Sequence, residues 1–112
     1  MYYDSGKPAY EGEWKNDQFN GKGKLYNEVP KPLFEMFDYC NFDEIDEHWE
    51  YYEGEFYEDL KQGRGKFMLS NGEYFIGEFE NDCINGNGKF YRKNGSIIKG
   101  IWKENSLVHQ KY

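Results

Sequence analysis

Residues 52–68 read YEGEFYEDLKQGRGKFM. Nearly the same phrase stands at 10–26 as YEGEWKNDQFNGKGKLY and at 75–91 as FIGEFENDCINGNGKFY. Gly54, Gly77 and Gly100 recur every 23 residues, as do Gly63 and Gly86, Gly65 and Gly88, and Gly72 and Gly95. Gly12 precedes Gly54 by 42, one period plus 19. Glycine, aromatic and charged positions all return in register, which marks a repeat array.

Within each phrase the residue types alternate with period two, the pattern of a half-buried strand. Tyr10, Gly12 and Trp14 share one face with Leu25 of the following strand. The later copies put Tyr52, Gly54, Phe56 and Phe67, then Phe75, Gly77, Phe79 and Phe90, at the same places. Each period therefore predicts a β-hairpin, with the first turn placed at NDQFNG, residues 16–21. The joints SNG, ending at Gly72, and KNG, ending at Gly95, carry the Asn-Gly pair that tolerates positive φ. Glycine weakens a strand interior, so its recurrence predicts a ring lying on bare backbone. An aromatic from the neighbouring repeat is the expected occupant. Stacked copies then build one aromatic ladder that a single hairpin cannot bury. On the other face Glu13, Glu55 and Glu78 recur against Lys24, Lys66 and Lys89, which predicts cross-strand charge pairing.

These residues resemble the MORN repeat (membrane occupation and recognition nexus). Its pattern is met by Tyr10, Gly12, Trp14, Gly21 and Gly23, by Tyr52, Gly54, Phe56, Gly63 and Gly65, and by Phe75, Gly77, Phe79, Gly86 and Gly88. A fourth copy opens with Ile98, Gly100 and Trp102 and then fades. Asp17, Asp59 and Asp82 stand where the family's turn glycine would be. Asp tolerates a left-handed backbone better than most residues. The resemblance implies an all-β fold: an elongated, twisted antiparallel sheet of tandem hairpins. It also implies a scaffold of the kind found in ciliary, cytoskeletal and junctional proteins.

The 112 residues read as one domain, 1–112, with repeats at 10–27, 52–72 and 75–95, a partial copy at 98–112 and an insertion at 28–50. Net charge is −7, and the insertion, with eight acids and one lysine, accounts for all of it. No basic field suited to nucleic acid is visible, so no nucleic-acid partner is expected. Leu33, Met36, Phe37 and Cys40 follow helical spacing, as do Phe42, Ile45 and Trp49, so the insertion is expected to be partly helical. Asn41 or Asp43 can cap the second set. Two readings of this segment stand open: its apolar face covers its own sheet, or Phe34, Phe37 and Trp49 dock a partner.

The chemistry-bearing residues form no catalytic pattern. His48 and His109 lie in no metal motif, Asp38, Asn41 and Asp43 lack calcium-loop spacing, and Gly21–Lys24 is no phosphate loop. No enzyme activity, metal or cofactor is expected. Two cysteines are too few for a disulfide framework, and no apolar run or secretory signal stands out. An intracellular, cytoplasmic setting is the expectation, with cilium, axoneme or cytoskeleton suggested by the resemblance. The function that emerges is a structural or adaptor subunit binding protein partners in a larger complex. Two alternatives are a peripheral scaffold on anionic phospholipid, disfavoured because every outward lysine is read as shadowed by a glutamate, and a regulatory subunit of a separate enzyme. At the ends, MYYDSG reads as a lone second strand. Ile98, Ile101 and Trp102 border an edge open to another chain or to end-to-end self-association, unless Leu107 and Val108 fold back to pair.

Overall fold

The computed structural model describes residues 9–111. The predicted extra strand at MYYDSG lies outside them. Eight strands follow in chain order: β1 (Tyr10–Lys15), β2 (Gln18–Tyr26), β3 (Trp49–Tyr57), β4 (Leu60–Leu69), β5 (Tyr74–Glu80), β6 (Cys83–Tyr91), β7 (Ile97–Lys103) and β8 (Ser106–Lys111). They form a single antiparallel meander, each strand beside its sequence neighbours. The molecule measures 41 × 27 × 20 Å.

The four hairpin turns are shorter than the sequence pattern indicates. Each has two residues, both at positive φ: Asn16 and Asp17, Glu58 and Asp59, Asn81 and Asp82, Glu104 and Asn105. This is the tight turn whose twist matches that of the strands it joins. Residues 18–21, placed in the turn by sequence, belong to β2. The fourth hairpin is also complete. β8 pairs with β7 although it lacks the glycine pair of the others.

The second residue of each of the last three turns also reaches across to the hairpin before it. The Phe19 amide donates to Asp59 Oδ1 at 2.6 Å, and the Asp59 amide donates back to the Phe19 carbonyl at 3.0 Å. Lys61 and Asp82 repeat the exchange, as do Ile84 and Asn105. An aspartate or asparagine at this place does two jobs: it accepts a left-handed backbone and it clips one hairpin to the next.

Strand register turns the repeat into continuous columns. Gly12, Gly23, Gly54, Gly65, Gly77, Gly88 and Gly100 face one another strand by strand across β1–β7. Beside them run Tyr10, Leu25, Tyr52, Phe67, Phe75, Phe90 and Ile98. The ring over each glycine pair comes from the same hairpin, not from the neighbour. A Cβ on Gly65 would meet the Tyr52 ring at 2.4 Å, and one on Gly88 would meet the Phe75 ring at 2.2 Å. The neighbour's aromatic packs edge-on against that ring instead: Phe56 on Tyr10 at 5.5 Å, Phe79 on Tyr52 at 4.9 Å, Trp102 on Phe75 at 5.0 Å between centroids. Edge-to-face geometry of this kind adds to plain area burial.

The glutamates have a different task from the one expected. The register slips at Glu13, Glu55 and Glu78, a bulge in each hairpin. There Glu55 Oε2 accepts the Arg64 amide at 2.8 Å and Glu78 Oε2 accepts the Asn87 amide at 2.6 Å, just past positive-φ glycines. Glu13 serves the Lys22 amide likewise. These carboxylates satisfy backbone donors that the bulge leaves unpaired. The residues facing Lys24 and Lys66 are Glu11 and Glu53.

Candidate interaction surfaces

The insertion crosses the aromatic face and reaches the far end of the sheet. It contains one 3₁₀ turn, Phe42–Ile45, with Asn41 as N-cap accepting the Asp43 amide. The helix expected through Leu33, Met36, Phe37 and Cys40 is absent, and this stretch is extended or turning. Pro30 and Pro32 hinder an early helix, and the backbone bonds outward to the sheet instead. The Phe37 amide donates to Glu73 Oε1 at 2.7 Å, and Trp102 Nε1 donates to the Tyr39 carbonyl at 2.7 Å.

The candidate docking residues of the insertion separate cleanly. Phe37 and Phe42 are buried; Phe42 stands edge-on to Phe75 at 5.5 Å and to Phe90 at 5.8 Å. Trp49 is half-buried against Phe67. Phe34 is 86% exposed, with only its carbonyl held, by Lys93 Nζ. The structure thus shows the insertion covering its own sheet. Phe37 is withdrawn from any partner surface because it fills the hollow above Phe90. Trp102 is withdrawn too, being wholly buried, while Ile98 and Ile101 are half-buried within paired β7.

Of the ladder residues, Tyr10, Tyr52, Phe56, Phe67, Phe75, Phe79, Phe90 and Trp102 lie together in one cluster, with Leu25 packed on its margin. Trp14 does not join them and is 47% exposed. Its counterparts Phe56, Phe79 and Trp102 each press on the first ring of the preceding hairpin. Among the described residues the rings that Trp14 meets are Tyr10 and Phe19 of its own hairpin.

Glu73 stands in the joint between the second and third hairpins. It is wholly buried. Oε1 accepts from Phe37 and from Asn71 Nδ2, and Oε2 from the Lys93 amide. One carboxylate thereby ties the insertion to two turns of the array. A buried polar group is tolerated where hydrogen bonds satisfy it. The position one period later is Ser96, so Glu73 departs from the repeat, and that departure was its only signal in the sequence.

The outer face presents two rows. Tyr26, Tyr51, Met68, Tyr74 and Tyr91 form one. The other reads Glu11, Lys24, Glu53, Lys66, Ile76, Lys89, Lys99 and Lys111 across all eight strands. Lys24 also lies over Tyr51 at 4.2 Å and Lys66 over Tyr74 at 4.8 Å. The charge alternates in the first half only. The expectation that every outward lysine is shadowed by a glutamate fails at Lys89, whose cross-strand neighbours are Ile76 and Lys99.

Elsewhere the titratable groups serve the fold. Lys61 lies beneath Trp49 and Phe67 with Asp82 at 3.8 Å, and burial pushes its ammonium below the usual lysine range. The free thiols of Cys40 and Cys83 are pushed up, by burial first and by nearby carboxylates second. They stay protonated at neutral pH and are poor nucleophiles. Among the described residues no cluster of His, Cys, Asp and Glu is arranged to hold a metal ion, and no helix is long and apolar enough to cross a membrane.

The family model for the MORN repeat matches residues 10–27, 52–74 and 75–97. The chain belongs to the MORN-repeat family. It is a repeat-built protein of a family whose repeats mediate contacts between proteins. No curated protein matches it. The fourth MORN hairpin lies mostly beyond the matched residues and is recognised by pairing rather than by motif.

Proposed function

We propose that this MORN-repeat protein is a structural or adaptor subunit of a larger assembly, with a ciliary or cytoskeletal setting inside the cell. The observation that carries this reading is how the surfaces are divided. The aromatic face from Phe67 to Trp102 is covered by the chain's own insertion. The outer face offers tyrosines, lysines and a run of cations that face no carboxylate among the described residues, in a regular array. Tyrosines on a stiff sheet suit protein recognition, because a ring with few torsions loses little freedom on binding, and the cations add electrostatic complementarity.

The test is the size at which the protein travels in an extract of its native cell. The expected result is co-migration with an assembly far heavier than the 13.5 kDa chain. Migration wholly as a free chain would count against the reading.

The lysine run also supports a second reading, a peripheral scaffold on anionic phospholipid, since such surfaces attract basic clusters. Sedimentation with phosphatidylserine vesicles at physiological salt separates the two. Binding lost on Lys89→Glu/Lys99→Glu would favour lipid.

A further inference from the structure

The outer row changes character halfway along the sheet. Glu11, Lys24, Glu53 and Lys66 alternate in sign from strand to strand. The glutamate position, Glu11 and Glu53, then becomes Ile76 and, one period later, Lys99. Lys89, Lys99 and Lys111 consequently face one another directly across β6, β7 and β8. Like charges directly opposite weaken a sheet. Their ammonium groups line an open groove with Arg64, Ile76 and Tyr91, and among the described residues no carboxylate belongs to its lining. The nearest repeat glutamate, Glu78 opposite Arg64, is engaged by the Asn87 amide. The corresponding hollow in the first half mixes Glu11, Glu53 and Glu55 with its cations.

The complement of this groove lies on the opposite face of the same molecule. Phe90 points inward under the insertion, so Lys89 and Tyr91 point outward. Between Phe37 and Trp49 the insertion exposes Asp38, Asp43, Glu44, Asp46 and Glu47. Its single ion pair among the described residues is Lys31 with Asp46. The chain is thus a slab with an acidic front and, over its last four strands, a basic back.

We propose that the Lys89–Lys99–Lys111 groove receives the acidic insertion, around residues 43–47, of a second copy of this chain. Front-to-back contact is heterologous: each copy still presents a free groove and a free insertion. Such contacts extend into open chains unless the rotation closes a ring. The inference deepens the assembly reading by naming one partner, and it is separable from it. A chain that never binds itself could still travel in a large complex.

Sedimentation velocity of the purified full chain tests this over a range of concentrations. At about 0.01 M salt the screening length is about 30 Å, and at about 0.15 M it is about 8 Å. The expected result is a weight-average mass at least double the 13.5 kDa of the chain at low salt, falling as salt rises. Lys89→Glu/Lys99→Glu should remove the association, and so should Glu44→Lys/Glu47→Lys. Lys15→Glu/Lys103→Glu, the same charge change at exposed lysines elsewhere, should keep it. The decisive arm mixes the first two variants. Each retains the surface the other lacks, so the mixture should associate although neither variant does so alone. Matching circular dichroism and melting temperature establish that every variant is folded. Three results would overturn the proposal: a monomer at every concentration and salt, association that survives both charge reversals, or no pairing in the mixture. A monomer whose Lys89 and Lys99 bind phosphatidylserine vesicles would assign the groove to lipid instead.

Discussion

The Leu107 amide donates to the Cys40 carbonyl at 2.9 Å. In the first three hairpins the equivalent amide, that of Phe19, Lys61 or Ile84, is taken by the turn side chain of the next hairpin. Leu107 has no next hairpin among the described residues, and the insertion takes that place. The contact is reinforced by the Phe42 amide on the Asn105 carbonyl and by Asn105 Nδ2 on Asp43 Oδ1. A terminal repeat lacks one neighbour and needs a cap. Here the cap is borrowed from between the first and second repeats.

Phe42 should therefore matter and Phe34 should not. Phe42→Ala empties a site packed against Phe75, Phe90 and Trp102, and should cost about 3–5 kcal/mol. Phe34→Ala removes an exposed ring and should stay within about 0.5 kcal/mol. Urea unfolding of the two variants provides the comparison.

The glycine column should tolerate no side chain. A Cβ on Gly54 would stand 2.5 Å from the Arg64 carbonyl oxygen, and one on Gly77 would stand 2.6 Å from that of Asn87. Backbone cannot move aside cheaply, so Gly54→Val and Gly77→Val should each cost about 3 kcal/mol or prevent folding. Gly95 meets nothing within 4 Å, and at φ 93° Gly95→Ala should cost only about 1–2 kcal/mol of strain. Equal melting shifts for the three would contradict the column.

Removing the buried carboxylate should loosen the insertion before the sheet. Glu73→Gln replaces one acceptor oxygen with a donor facing an amide hydrogen, at a cost of about 1–3 kcal/mol. Amide exchange at Phe37 or Lys93 should quicken more than exchange at Gly65 in the sheet centre.

The sequence carried the periodic part of this structure and little of the rest. Tyr52, Gly54, Phe56 and their counterparts announce hairpins because backbone geometry forces the same residue types into the same places. The turn was misjudged because Asn20 and Gly21 look like turn residues, whereas Asn16 and Asp17 supply the positive φ. Glu73 meets Phe37, and Cys40 meets Leu107, across long separations, and no local pattern encodes such contacts. The lysine row stood in between. Aligning Glu11, Glu53, Ile76 and Lys99 by period exposes it, but only strand register shows Lys111 completing it.

Alkaline pH should unfold the array from its tyrosines. Tyr26 donates to Glu11, and that bond first, with burial second, pushes its phenol up to about 12. Burial raises Tyr10 and Tyr52 as well. A phenol raised in the folded state stabilises the fold fully below its ordinary pKa of about 10, and the contribution is lost as pH climbs through the folded value. Phenolate absorbance should lag behind that of the unfolded chain on titration from about pH 10 upward. Glu11→Gln should bring one tyrosine back toward the ordinary value.

Amide hydrogen exchange of the intact chain tests the self-capped array most directly. Leu107, Phe42 and Phe37 should exchange as slowly as the paired strand interiors, because their hydrogens are held by Cys40, Asn105 and Glu73. Exchange at these three amides as fast as in an open chain, with the strands protected, would show the insertion standing away from the sheet and would contradict the account.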